Sequence, residues 1–160
     1  MKKEWITASL CLALACPLYA APNNSPAVKK QAAAEKPVYL FELIEKQPYA
    51  NLWRNTVWNK VPNKKDFNFS WLKSGGTTSP AETVKIGNET YYKIEACRPH
   101  LCGGDYDILV LINKKKVMAL QLYALPKGNV SNGRKMEKMY GTPTALERRY
   151  FNVWKQDYGR

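Results

Sequence analysis

The sequence predicts an α+β domain, an antiparallel sheet of about five strands with helices packed on it. Three observations carry that expectation. Apolar residues recur at helical spacing between Val38 and Trp58, switch to period two from Thr83, and return to helical spacing after Pro143. Glycines punctuate the switches, with Gly75-Gly76 before the strands and Gly141 after them. A two-residue Gly87-Asn88 step between alternating runs is the signature of a β-hairpin.

Taken in order, the chain of 160 residues opens with Met1-Lys2-Lys3-Glu4, an uncharged run from Trp5 to Ala15, and the small residues Ala20-Ala21. A basic start, a short apolar run and a small-residue cleavage site predict a secretory signal over residues 1–20, with cleavage after Ala20. The run is shorter than the roughly 20 residues that a transmembrane helix needs, and no later stretch is long and apolar enough to span a membrane. Periplasmic export is therefore expected. Lipidation at Cys16 is the weaker alternative, because Ala13 precedes it by three and Pro17 follows it. Residues 21–36, rich in Ala, Pro, Asn and Lys, predict a flexible tether, and residues 37–160 a single domain with one core.

Leu40, Phe41 and Ile44 predict a helix over Val38–Glu45, interrupted by Pro48, and Leu52, Trp53 and Val57 a second over Tyr49–Trp58. Phe67 to Leu72 is either a turn of helix or an approach to the sheet, ended by Gly75-Gly76. Strands follow at Thr83–Ile86 and Glu89–Ile94, the second running into Cys97, then at Asp107–Ile112 and Val117–Leu125, with Asn113–Lys115 as a turn. Finally Thr142 and Pro143 read as the cap and first residue of a helix whose apolar face is Leu146, Tyr150, Val153 and Trp154.

The most informative segment lies between two of these strands, in Cys97-Arg98-Pro99-His100-Leu101-Cys102-Gly103. Cleavage of the signal removes Cys11 and Cys16, leaving Cys97 and Cys102, which in an oxidising compartment read as a disulfide. Their spacing fits neither the thioredoxin nor the haem-attachment motif. A metal centre would need a further ligand, and His100 is the only histidine, so neither metal nor cofactor is expected. Ring closure and Pro99 restrict the loop, and a loop ordered in advance loses less entropy on binding. His100 then stands at the apex with Arg98 beside it. A protonated histidine donates from both ring nitrogens, which suits a pair of carboxyl groups such as those of glycoside hydrolases, spaced about 5–9.5 Å apart. The plainer alternative is that His100 decorates a structural turn. No nucleophile–base pair is visible, so catalysis is not expected.

The formal net charge of +12 falls to about +11 once Lys2, Lys3 and Glu4 are removed. Export argues against nucleic acid as a partner, and the lysines are dispersed or sit at turns, as in Lys114-Lys115-Lys116. A solvated face is the first reading of such runs, and attraction to anionic envelope polymers the second.

Four segments, Trp71-Leu72-Lys73-Ser74-Gly75-Gly76, Thr78 to Val84, Gly87-Asn88-Glu89-Thr90-Tyr91 and Ala96 to Gly103, resemble the Ivy family, the inhibitors of vertebrate lysozyme. The likeness covers roughly Val38 to Val153. It implies a periplasmic α+β protein that inhibits C-type lysozyme by inserting its disulfide-closed loop into the active-site cleft. By the same resemblance Cys97 and Cys102 form the disulfide, Pro99 shapes the loop, and His100 meets the catalytic carboxyl pair. Arg98, Leu101 and Gly103 complete the inhibitory loop, with Arg98 standing where the family has lysine and Leu101 where it has aspartate. Some members are dimers, so a homodimer is among the expectations, and some restrain lytic transglycosylases. A divergent inhibitor or immunity-type protein against another peptidoglycan hydrolase, and a basic envelope-binding module, are the alternatives.

Overall fold

The computed structural model describes residues 36–103, 106–127 and 130–158. The expected signal peptide and all of the tether but Lys36 lie outside these residues. The described chain is α+β, with six strands in one antiparallel sheet against the five or so expected. The strands are β1 (Thr77–Thr78), β2 (Glu82–Ile86), β3 (Glu89–Cys97), β4 (Tyr106–Ile112), β5 (Val117–Lys127) and β6 (Val130–Tyr140). Their order is β1-β3-β4-β5-β6, and β2 also pairs with β3, so β1 and β2 lie end to end along one edge.

Three of the four strands read from the sequence are extended by pairing, and the Gly87-Asn88 turn is confirmed: Ile86 faces Glu89 across a two-residue step. Gly87 has φ +60° and Asn88 does not share it, the pattern of a II′ turn with glycine first. Asn113 closes the next turn, its Oδ1 accepting the backbone N–H of Lys115 and Lys116 at 2.9 Å each. The sixth strand, β6, has no apolar run to announce it. It carries Lys135, Glu137 and Lys138, side chains that suit a sheet edge facing water.

The sheet is packed on both faces. Ile108, Val110 and Ile112 of β4 face a layer built from the N-terminal half of the chain, with Leu40, Trp53, Val57, Trp71 and Leu72. Leu109 and Leu111 face the other way, against Phe151 and Trp154. All five β4 residues from Ile108 to Ile112 are fully buried, which is why their sequence is apolar without alternation. Each such side chain contributes about 1.5–3 kcal/mol on leaving water.

The N-terminal layer holds helices α1 (Leu40–Leu43) and α2 (Tyr49–Thr56), with single 3-10 turns at Trp58–Lys60 and Ser70–Lys73. The Phe67–Leu72 segment thus ends as a turn of helix. Helix α1 is shorter than the Val38–Glu45 span expected, and it turns Phe41 to solvent. A buried polar chain ties this layer to the sheet. Gln121 Nε2 donates to the Asn68 carbonyl and Tyr140 donates its hydroxyl to Gln121 Oε1, both at 2.8 Å. Trp53 Nε1 donates to the Leu72 carbonyl at 2.9 Å, and burial pushes the Tyr140 hydroxyl well above the usual phenol range.

Helix α3 (Ala145–Tyr158) corrects two expectations. It begins after Thr144, not at Pro143, because Thr144 and Glu147 form a capping box: Thr144 N–H donates to Glu147 Oε2 at 2.7 Å, and Glu147 N–H to Thr144 Oγ1 at 3.4 Å. Its inward face is Glu147, Phe151 and Trp154, whereas Leu146 and Val153 are 58% and 51% exposed. Glu147 sets that rotation, drawn inward by Tyr91 and Lys116.

Candidate functional site

The end of the sheet at which β3 stops and β4 starts carries the Cys97–Cys102 loop. Both strands are paired up to its mouth, with Cys97 opposite Asp107, and Arg98 N–H adds one more bond to the Tyr106 carbonyl at 2.9 Å. Cys97 and Cys102 are joined by a disulfide, their Cα atoms 5.1 Å apart. Cys97 is buried, while Cys102 sits on the exposed side of the ring.

A close approach beneath the loop explains the double glycine upstream. A Cβ on Gly76, whose φ is +70°, would strike the Cys97 carbonyl and the Trp71 ring. Trp71 is buried and held by its own indole N–H, which donates to the Asn68 carbonyl at 3.0 Å. Strand β1 then crosses behind the ring, with Thr77 paired to Cys97. The loop therefore stands on packed aromatic and main-chain structure, not on solvent.

Within the ring, Arg98, Pro99, His100 and Leu101 make a β-turn closed by Leu101 N–H donating to the Arg98 carbonyl at 3.0 Å. Pro99 occupies the second position and His100 the third, with φ +68°, the pattern of a type II turn. That third position favours glycine, and His100 is the sole described non-glycine residue at positive φ. Pro99, His100, Leu101 and Gly103 are all exposed, Leu101 to 42%. Gly103 N–H reaches back to Asp107 Oδ1 at 3.4 Å.

Arg98 departs from its expected place beside the apex. Its side chain is half-buried and folded down, the guanidinium 4.4 Å from the ring centre of Phe67 and 5.6 Å from that of Tyr106. The two rings are 5.5 Å apart and inclined by 56°. Neither Phe67 nor Tyr106 was legible as part of the site, because Phe67 is distant in sequence and only the fold brings it to the loop. The only signal in the sequence is an aromatic, Phe67, set between two polar residues, Asp66 and Asn68; that it stays exposed is seen only in the structure.

Among the described residues no group of three or more His, Cys, Asp or Glu is placed to hold a metal ion, and no helix is long and apolar enough to cross a membrane. The loop offers no nucleophile beside a base. It offers an exposed imidazole on a closed turn, next to an exposed leucine.

No family model matches the chain. A stretch of 34 residues, 21% of the chain, is 53% identical to the inhibitor of vertebrate lysozyme of Escherichia coli K12, and the same figures hold for the protein of that name from Escherichia coli O157:H7. The match spans 22% of the length of those relatives. Over that part the chain is related to the inhibitor of vertebrate lysozyme.

Proposed function

We propose that this protein is a periplasmic, non-catalytic inhibitor of C-type lysozyme or a related peptidoglycan hydrolase, which occludes the target's cleft with the Cys97–Cys102 loop and presents His100 to the catalytic carboxyl pair. The observation that carries the reading is the backbone of His100. Its φ of +68° places an imidazole where glycine is the relaxed choice, at the exposed apex of a closed turn. Non-glycine residues kept in this region cluster at functional sites. An imidazolium there donates to two acceptors at once, which matches two carboxyl groups facing each other across a cleft. The partial likeness to lysozyme inhibitors points to the same class of target, and a disulfide suits an oxidising compartment outside the cytoplasm.

One observation favours a target other than vertebrate lysozyme. Leu101, beside His100, is 42% exposed, and the resemblance puts aspartate at that position. An apolar side chain there seeks an apolar wall in the partner's cleft, so a lytic transglycosylase or a hydrolytic toxin is the second reading.

A cell-wall clearing assay decides between them. Mature protein is titrated against several C-type lysozymes and a lytic transglycosylase, with His100→Ala alongside. The expected result is inhibition that weakens at least tenfold in the variant, about 1.4 kcal/mol. Equal inhibition by the variant removes the plug mechanism. Silence against every lysozyme with activity on the transglycosylase selects the second reading, and silence against all sinks both.

A further inference from the structure

We propose that Arg98 is a positioning residue: its guanidinium, seated on Phe67 and Tyr106, is a second clasp that keeps the His100 turn in shape independently of the Cys97–Cys102 bridge. The proposal rests on the reading of this loop as an inhibitory plug.

A cation meant to meet a partner extends into solvent, where its desolvation is deferred until binding. Arg98 instead lies 4.4 Å from the Phe67 ring centre and 5.6 Å from that of Tyr106, in a notch the two inclined rings make together. A guanidinium suits such a notch because it is planar and weakly hydrated and stacks on an aromatic face, where an ammonium acts as a point charge. The notch is firmly held. Tyr106 opens β4, the strand whose next residues are buried. Phe67 is two residues before Phe69, which is buried and meets the Tyr123 ring edge-on at 5.1 Å.

The main chain of Arg98 explains why fixing its side chain fixes His100. Its N–H is bonded to the Tyr106 carbonyl, and its own carbonyl accepts the Leu101 N–H that closes the turn. Arg98 is thus the first residue of the turn, and His100 follows two residues later with Pro99 between them. The disulfide holds the far side of the ring through Cys102. The two ties act on opposite arms of one turn, so either alone suffices to order it and only loss of both frees it.

The test has one arm that needs no target. Backbone amide order parameters at His100 and Leu101 are measured by NMR for wild type, Arg98→Ala, Arg98→Lys, Cys97→Ser/Cys102→Ser and the combined triple variant. Dithiothreitol-reduced wild type and reduced Arg98→Ala give a second route should the serine substitutions disturb the fold. Each single disruption is expected to stay near the rigid value of about 0.85, and the combined loss to fall below about 0.6. Arg98→Lys in the bridge-free background is expected to lie between the two. Inhibition of whichever hydrolase the wild type blocks should follow, with each disruption costing about threefold or less and both together more than tenfold. Simple multiplication of the single effects would overturn the second clasp. So would an Arg98→Ala variant that loses inhibition as His100→Ala does while its loop stays ordered, since Arg98 would then touch the partner. A wild type that inhibits no hydrolase defeats the functional reading alone, and the order parameters still decide the clasp.

Discussion

Tyr91 on β3 donates its hydroxyl to Glu147 on α3 at 2.5 Å, a polar tie between the C-terminal helix and the sheet beside the packing of Phe151 and Trp154. Lys116 Nζ meets the same Oε1 at 2.5 Å, and the Thr144 N–H takes the other oxygen. Burial alone would raise the Glu147 carboxyl, but the hydrogen bonds from Lys116, Tyr91 and Thr144 outweigh it and bring the carboxyl down to about 2 from its ordinary 4.5. A carboxyl held low in the folded protein stabilises it fully above its unfolded value, and that contribution is lost as pH falls toward the folded one. Stability in urea is therefore expected to drop between about pH 4.5 and pH 2, and Glu147→Gln to flatten that slope while lowering stability at pH 7 by about 2 kcal/mol or more. An unchanged acid limb in the variant would assign acid sensitivity elsewhere.

His100→Gly separates function from fold. Glycine adopts the left-handed region without cost, and its greater freedom in the unfolded chain offsets part of that gain, so the free energy of unfolding should stay level or rise by up to about 1 kcal/mol. Inhibition should fall as in His100→Ala. A variant destabilised by more than about 1 kcal/mol would mean that the imidazole supports the turn rather than a partner.

Gly76→Ala tests the floor of the loop. The added methyl group would overlap the Cys97 carbonyl and the Trp71 ring, so a loss of about 3 kcal/mol is expected, with perturbed tryptophan fluorescence. An alanine variant of wild-type stability would show that this approach is looser than the geometry states.

Gln121 offers a sharper test of polar packing. It accepts from Tyr140 and donates to the Asn68 carbonyl, which also receives the Trp71 indole N–H. In Gln121→Leu the Tyr140 hydroxyl loses its partner in a buried site, at about 1–3 kcal/mol. Adding Tyr140→Phe should recover part of the loss, because no buried donor is then left without an acceptor. A double variant less stable than the single one would contradict that account.

The legible parts of the fold were those written in local chemistry. Gly87-Asn88 sets a hairpin, and the apolar run from Ile108 to Ile112 announces a strand, whose burial on both faces the fold then explains. The Cys97–Cys102 pair is legible in the sequence as a disulfide, and the two residues are joined in the structure. What stayed hidden depends on neighbours distant in sequence. Strand β6 has a polar sequence and is held by its pairing with β5. Helix α3 was expected to bury Leu146 and Val153, yet Glu147 faces inward because its partners, Tyr91 and Lys116, lie on other elements. In the sequence Arg98 reads as a cation beside His100, because nothing there places Phe67 next to it.

The burial of β4 has a consequence for how the loop behaves over time. Amides in a strand covered on both faces exchange with solvent only when the sheet as a whole comes apart, whereas exposed turns ordinarily open on their own. Here the mouth of the ring is paired into that strand at Cys97 and Asp107 and again at Arg98 and Tyr106. Deuterium uptake at those positions should be as slow as in the middle of the sheet, so that both arms of the ring stay anchored until the sheet itself gives way, and the order of the apex beyond them rests on the bridge and on Arg98.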